Sequence, residues 1–209
     1  MYKNKPLEKY LEDAASGEPT PGGGSIAALA GALATTMVSM STNITLHKIT
    51  YKQYEAQCKR ILEECEKRRE KLLFLMEEDV MAYDDVRMAY NLPKSNETEK
   101  DLRSETIQKT TIRATEVPVQ TTRCCLSLLQ LIRELVDIVV PKVISDVGVA
   151  GILTEAALQC AKLNVDINLK YIQNQEIVKK VRSEINSVEK RAEAFYNEIQ
   201  EKVREKIRG

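Results

Sequence analysis

The chain has no tryptophan, two phenylalanines and a single histidine among its 209 residues. A core of that composition has to be aliphatic and alanine-rich, and a lone imidazole argues against a zinc centre. The five cysteines (Cys58, Cys65, Cys124, Cys125, Cys160) make no Cys-x-x-Cys pair. A disulfide framework is therefore not expected, and a reducing, cytoplasmic setting is. Net charge is absent too: 31 basic residues balance 31 acidic ones, so no overall field favours nucleic acid. The N-terminus lacks the charged, apolar and cleavable pattern of an export signal. No stretch alternates apolar and polar residues with a period of two, which leaves no candidate for a sheet.

Against a chain that is 30% charged, the segment Pro19 to His47 stands out because it contains no Asp, Glu, Lys or Arg. It begins with Pro21-Gly22-Gly23-Gly24, read as a bare-backbone loop where a ligand or another chain approaches closely. Ser25 is a good N-cap for the helix that follows, and free N–H groups at such a start suit an anion or a polarised oxygen. The loop is not a nucleotide P-loop, because Ser25-Ile26 stands where Lys-Ser/Thr is required. Ile26 to Leu46 is long enough to cross a membrane. Thr35, Thr36, Ser39, Ser41, Thr42, Asn43 and Thr45 crowd its second half, so a buried central helix is the better reading and no membrane association is expected. Ala27, Gly31, Thr35, Ser39 and Asn43 recur at i, i+4 and give it a flat face for another helix, from the same chain or a second subunit.

The remaining elements read as helices of one domain covering residues 1–209, an all-α, up-and-down bundle. Pro6 opens a short helix from Leu7 to Ala15. A long charged helix runs from about Lys52 to Asn91, with an inward stripe Cys58, Ile61/Leu62, Cys65, Leu72, Met76, Asp79, Tyr83, Val86, Tyr90. Asn96 and Glu99 read as a capping box for the next helix, which Pro118 should kink or break before it resumes to about Val139. Ser145-Asp146 offers the following N-cap, for a helix ending near Leu169 or Tyr171. Asn174 marks a turn. The last helix, Glu176 to Ile207, carries Ile177, Val181, Ile185, Val188, Ala192, Phe195, Ile199, Val203 and Ile207 at alternating fours and threes.

Several polar residues sit where apolar ones belong. Asp79 lies on the inward stripe of its helix, a costly place for a carboxylate that is not paired, hydrogen-bonded or at work. A slight rotation that turns Val80 inward would leave Asp79 at the edge instead. Asp146 needs no explanation beyond capping, although Gly148 and Gly151 after it bare a second stretch of backbone. Asn164 and Asn168 fall one turn apart on an apolar helix, either as core amides or as ligand groups. Lys48 is the first charge after the neutral run, and the adjacent His47 reads as a residue of a helix C-terminus or as a base.

The segments PTPGGGSIAALAGALA, ITLHKITY, DVMAY, YNLPK, TEVPV, SDVGVA and NVDINL follow one another in the order and spacing of the cyclodeaminase/cyclohydrolase family, which this chain resembles from its first helix to about Leu169. The family includes formiminotetrahydrofolate cyclodeaminase domains and methenyltetrahydrofolate cyclohydrolases. The resemblance implies an all-helical homodimer, with the small-residue face of the central helix against a partner and a folate pocket near the subunit interface. It places Gly22, Gly23, Gly24 and Ser25 in the pocket lining, Asp79 at the acidic position ahead of Leu-Pro-Lys, and Asp146 in the Ser-Asp motif. Asn164 and Asn168 match the Asn-Val-x-Ile-Asn motif, and Lys48 matches a basic position that follows His47 here instead of glycine.

The implied activity is hydrolysis of a methenyl bridge to the formyl compound, or ring closure of a formimino group with loss of ammonia. Both pass through a tetrahedral centre at a cationic amidine-like carbon, and both need a carboxylate near that charge and a group that moves protons. Asp79 or Asp146 is the expected acid/base, with the other orienting pterin or water, and Lys48 or the glycine-loop amides holding a carboxylate of the ligand. The substrate is a tetrahydrofolate derivative, and no metal or redox cofactor is expected. The other reading is a helical folate-binding or scaffolding dimer without activity.

Overall fold

A computed structural model describes all residues from Met1 to Gly209, with no strand. Its α-helices are α1 (Leu7–Ala15), α2 (Gly23–Leu46), α3 (Glu55–Tyr90), α4 (Glu97–Ile138), α5 (Ile144–Leu169) and α6 (Gln175–Arg208), with short 3-10 turns at Tyr2–Asn4, Ile49–Tyr54 and Pro141–Val143. Helices α2 to α5 form the bundle and α6 lies outside it. Ser25 at the start of α2 meets Asp79 and Met76 near the end of α3, so these two run antiparallel. The start of α2 also meets Asn164 near the end of α5, while Thr45 at its far end accepts a hydrogen bond from the Val140 amide just before α5. Arg123 of α4 pairs with Glu184 of α6 and Asp137 with Lys202, so α6 runs parallel to α4 across the α4–α5 groove.

The core is aliphatic, as the composition requires: Leu128, Leu129, Ile132, Leu135, Leu158 and Ile199 are fully buried, together with Cys58, Cys65 and Cys125. The first part of the small face of α2, Ala27, Gly31 and Thr35, is buried inside the protomer and not held out for a partner, while Ser39 is half-buried and Asn43 exposed. A Cβ at Gly31 would lie 3.2 Å from Leu72 and 3.5 Å from the Cys125 sulfur. Close approach of α3 and α4 is what those small residues permit. The outward face of α2 is a different one, carrying Ile26 and Leu33. It continues across α5 through Val149, Ile152, Leu163 and Ile167, all exposed.

The helices depart from the sequence expectations at three places: the starts of α2 and α5, and Pro118. Helix α2 begins at Gly23 with Gly22 as its N-cap, so Gly23 and Gly24 belong to the first turn and not to a loop. Ser25 therefore does not cap; its hydroxyl donates to the Met76 carbonyl. Helix α5 begins at Ile144, which puts Asp146 inside the first turn as a charge favourable to the helix dipole and not as the N-cap. Gly148 and Gly151 bare their backbone to α6 and to no ligand, since a Cβ at either would meet Val203 at 3.0 Å or Ile199 at 3.3 Å. Asn96 does cap α4, accepting from the Glu99 amide; the Glu99 carboxylate accepts from the Ser95 amide. Helix α4 then passes through Pro118 without a break. Val117, Pro118 and Val119 are all buried there, and their packing outweighs the one lost hydrogen bond.

Candidate functional site

The inward stripe of α3 divides after Met76. Buried packing passes to Ala82 and Ala89, while Asp79, Tyr83, Val86, Arg87 and Tyr90 turn toward a cleft of about 580 Å³ at the end of the bundle where α2 begins. Pro19, Thr20, Gly22 and Gly23 form a second wall; Asn164, Ile167, Asn168 and Tyr171 form a third; Thr111 and Ala114 of α4 close the back. Ala114 lies four residues before Pro118, which has no N–H to donate to its carbonyl.

Asp79 is the one carboxylate in this lining. Burial pushes its pKa up to about 6, and the hydrogen bond from the Ser25 amide to Oδ2, 2.9 Å long, works in the opposite direction. A carboxyl poised there is ionised at neutral pH yet remains a competent proton acceptor. Its position is set by a chain of contacts. Tyr10 of α1, 3% exposed, places its hydroxyl 2.9 Å from Ser25 Oγ. Ser25 has committed its own proton to Met76, so Tyr10 is the donor in that pair. The first turn of α2 is thus pinned to both α1 and α3 before it reaches the carboxylate.

The glycines of that turn are required for different reasons. A Cβ at Gly24 would stand 2.0 Å from Asp79 Oδ1, an impossible contact; one at Gly23 would stand 3.3 Å from the Asn164 amide nitrogen. Asn164 donates to the Cys160 carbonyl through that nitrogen, which directs its carbonyl oxygen away from its own helix. Gly22, Gly23, Asp79, Asn164 and Asn168 are therefore brought together at one cleft, with Gly24 and Ser25 directly behind it.

Asp146 and Lys48 are not at this cleft. Both lie at the other end of the bundle, because α2 separates Gly23 from Lys48 by 24 residues, roughly 36 Å of helix. Helix α5 likewise carries Asp146 away from Asn164. His47, hydrogen-bonded to the Asn43 carbonyl, is at that far end too. Lining residues not anticipated as site members include Tyr171, Arg87, Thr111 and Ala114. Only the four-residue steps from Asp79 to Tyr83 to Arg87 could have indicated one of them.

A sequence profile of the formiminotransferase-cyclodeaminase family matches residues 6–187. The chain belongs to that family. It is 37% identical over 99% of its length to the whole of a methenyltetrahydrofolate cyclohydrolase from Methylorubrum extorquens. It is also 28% identical over 88% of its length to a formimidoyltransferase-cyclodeaminase from Sus scrofa, of which the match spans 34%. The crystal structure of a formiminotetrahydrofolate cyclodeaminase from Thermotoga maritima superposes with a TM-score of 0.89, covering 98% of each chain at 29% identity. The cyclodeaminase-family fold expected from the seven sequence segments is thus the fold of this chain.

Proposed function

We propose that the protein is a folate one-carbon enzyme that hydrolyses the methenyl bridge of methenyltetrahydrofolate. The observation that carries this reading is the single half-buried carboxylate of Asp79 in a cleft whose other polar side chains are amides, hydroxyls and one arginine. A methenyl bridge is a cationic amidine, and a carboxylate in a poorly hydrated wall stabilises that cation strongly. Asp79 takes a proton from water as the water oxygen bonds to the bridging carbon. The same proton is then available to the ring nitrogen that leaves as the tetrahedral centre opens, while the hydroxyl on that centre gives its own proton to solvent as it becomes the formyl carbonyl, the one net proton the hydrolysis releases. Asn164 and Asn168 hold the edge of the pterin, and the tyrosines flank flat parts of the ligand. These steps are proton transfers, so the proposal includes no metal or redox cofactor. The cyclohydrolase and the cyclodeaminase of known structure both match over their full length, and the higher identity to the former, 37% against 29%, favours hydrolysis over deamination. The five free cysteines suit a reducing, cytoplasmic compartment.

The test is spectroscopic. Protein-dependent loss of the near-ultraviolet methenyl absorbance is the expected result. Appearance of that absorbance from formiminotetrahydrofolate, with no effect on the methenyl compound, would make the protein a cyclodeaminase. Tight folate binding with neither change would leave a binding or scaffolding role.

The proposal extends to a homodimer that buries the α2–α5 face. Leu33 and Ile152 are each 50% exposed and Leu163 68%, in an apolar patch of the kind that marks an interface. Both helices are long and apolar enough to cross a bilayer, yet each is half buried in the bundle, and a second copy covers the rest. A twofold axis across the middle of that face turns the partner end for end. Lys48 and Asp146 of one protomer then approach the cleft of the other, which reconciles their family positions with their distance from Asp79. A Leu33→Glu, Ile152→Glu variant is expected to sediment as a folded monomer and to lose at least tenfold in kcat/KM. A variant that remains dimeric places the interface elsewhere.

A further inference from the structure

The cleft is polarised along its length, and that polarity has a use. Among its 16 lining residues Asp79 and Arg87 are the only charged ones. They sit on the same face of α3, with Tyr83 between them at one-turn spacing. Residues 79 and 87 are eight positions apart, roughly 12 Å along the helix. The negative end is recessed against the first turn of α2. The positive end is at the mouth, where the Arg87 side chain is 57% exposed and pairs with Asp84, three residues earlier and 3.3 Å away. Of the cations that follow along α3–α4, Lys94 lies in the connecting turn outside the cleft lining, Lys100 pairs with Glu97, and Arg103 is already engaged. It donates twice to the Tyr90 carbonyl and lies 5.5 Å over the Tyr90 ring, closing the α3–α4 turn.

We infer that Arg87 forms an anion subsite at the mouth of the cleft that takes a carboxylate of the glutamyl end of the substrate. The inference rests on the folate reading above. A reduced folate carries opposite charges at its two ends: the cationic bridge beside the pterin, and carboxylates on the glutamyl group beyond a flat benzoyl ring and an amide. With the bridge at Asp79, the ring lies beside Tyr83, and the carboxylate reaches the level of Arg87. Guanidinium is the group best suited to hold a carboxylate through paired hydrogen bonds. The pair with Asp84 is an exposed i, i+3 pair and worth little, so a ligand carboxylate can displace it. Arg87 therefore sets the direction in which the substrate lies and takes no part in the chemical step. It is a specificity residue.

The experiment compares Arg87→Gln and Arg87→Lys with the natural protein on two ligands: methenyltetrahydrofolate, and methenyltetrahydropteroate, which lacks the glutamyl group. For the glutamyl ligand, Arg87→Gln is expected to raise KM and Kd roughly tenfold with kcat within twofold, and Arg87→Lys to recover part of that loss. For the truncated ligand, Arg87→Gln should equal the natural protein. Equal losses on both ligands, or no loss on either, overturn the subsite. Failure of the natural protein to bind or convert either ligand overturns the folate reading and the subsite together, and that result is distinct from an active protein indifferent to Arg87.

Discussion

An Asp79→Asn protein should turn over methenyltetrahydrofolate at least a hundredfold more slowly than the natural one, yet resist unfolding better at pH 7. Both effects come from the same buried charge. The carboxylate serves the reaction by standing beside a cationic carbon and accepting a proton. Asparagine does neither, and loss of a general base costs roughly two to four orders of magnitude. The amide still offers an oxygen to the Ser25 N–H that holds Oδ2, so the local fold survives. Burial raises the folded-state pKa from the ordinary 3.8 to about 6, which fixes the direction of the stability change. Folding favours the neutral acid. The contribution of this group to stability is therefore fully present below pH 3.8 and is lost as pH rises through about 6. Above that range the natural protein carries a cost on the order of 2–3 kcal/mol, and the variant carries none. Thermal melts of the two proteins at pH 5 and pH 8 should diverge, with the variant gaining on the natural protein as pH rises. In the natural enzyme kcat/KM should fall as pH drops through about 6. A stability difference that does not change with pH would remove the buried carboxylate from the account. Wild-type turnover by the variant would leave Asp79 a packing residue.

That one residue also shows how far a sequence of this kind can be read. Asp79 was conspicuous because a heptad-like stripe on a long helix made its neighbours predictable, and the anomaly marks the point where α3 stops packing and starts lining a cleft. The triple glycine and the Asn164–Asn168 pair were conspicuous for the same reason, as polar or bare positions within apolar context. What periodicity cannot supply is the position of a helix end to within a turn. The glycine-rich start of α2 read as a loop capped by Ser25, because glycine disfavours helix. In the fold, the space demanded by Asp79 and Asn164 outweighs that propensity, and two glycines enter the helix. Pro118 likewise breaks a helix in isolation but not one packed on both sides, with Val117 against α1, α2 and α3 and Val119 against α5 and α6. The small face of α2 illustrates a different ambiguity: Gly31 was compatible with an internal neighbour or a second subunit, and only the positions of Leu72 and Cys125 distinguish them. Lys48 and Asp146 were placed beside Asp79 by resemblance alone, and a motif order carries no information about distance within the fold.

Gly24→Ala is expected to be the most damaging single methyl group that can be added to this protein. Gly24 is helical, and its φ is not positive, so alanine would ordinarily be favoured there by about 1 kcal/mol. Space reverses the sign. The new Cβ would fall 2.0 Å from Asp79 Oδ1, 2.6 Å from Cγ and 2.9 Å from Oδ2, so no small rotation of the carboxylate clears it. Either the first turn of α2 lifts away from α3 or Asp79 swings out of its place. Each outcome breaks the bond from the Ser25 amide, and the first also strains the pins from Ser25 to Tyr10 and Met76. Overpacking of this kind costs roughly 1–3 kcal/mol, and displacing the carboxylate should lower kcat/KM by at least a hundredfold. Gly23→Ala one residue earlier provides the control. Its Cβ would lie 3.3 Å from the end of the Asn164 side chain, which can yield by a few tenths of an ångström. That variant should keep its stability and lose no more than about tenfold in kcat/KM, mainly through KM. Measured side by side, the two substitutions distinguish a turn that is glycine-rich for flexibility from one that is glycine-rich for room. Flexibility predicts equal damage at 23 and 24, whereas contact with the carboxylate predicts damage concentrated at 24.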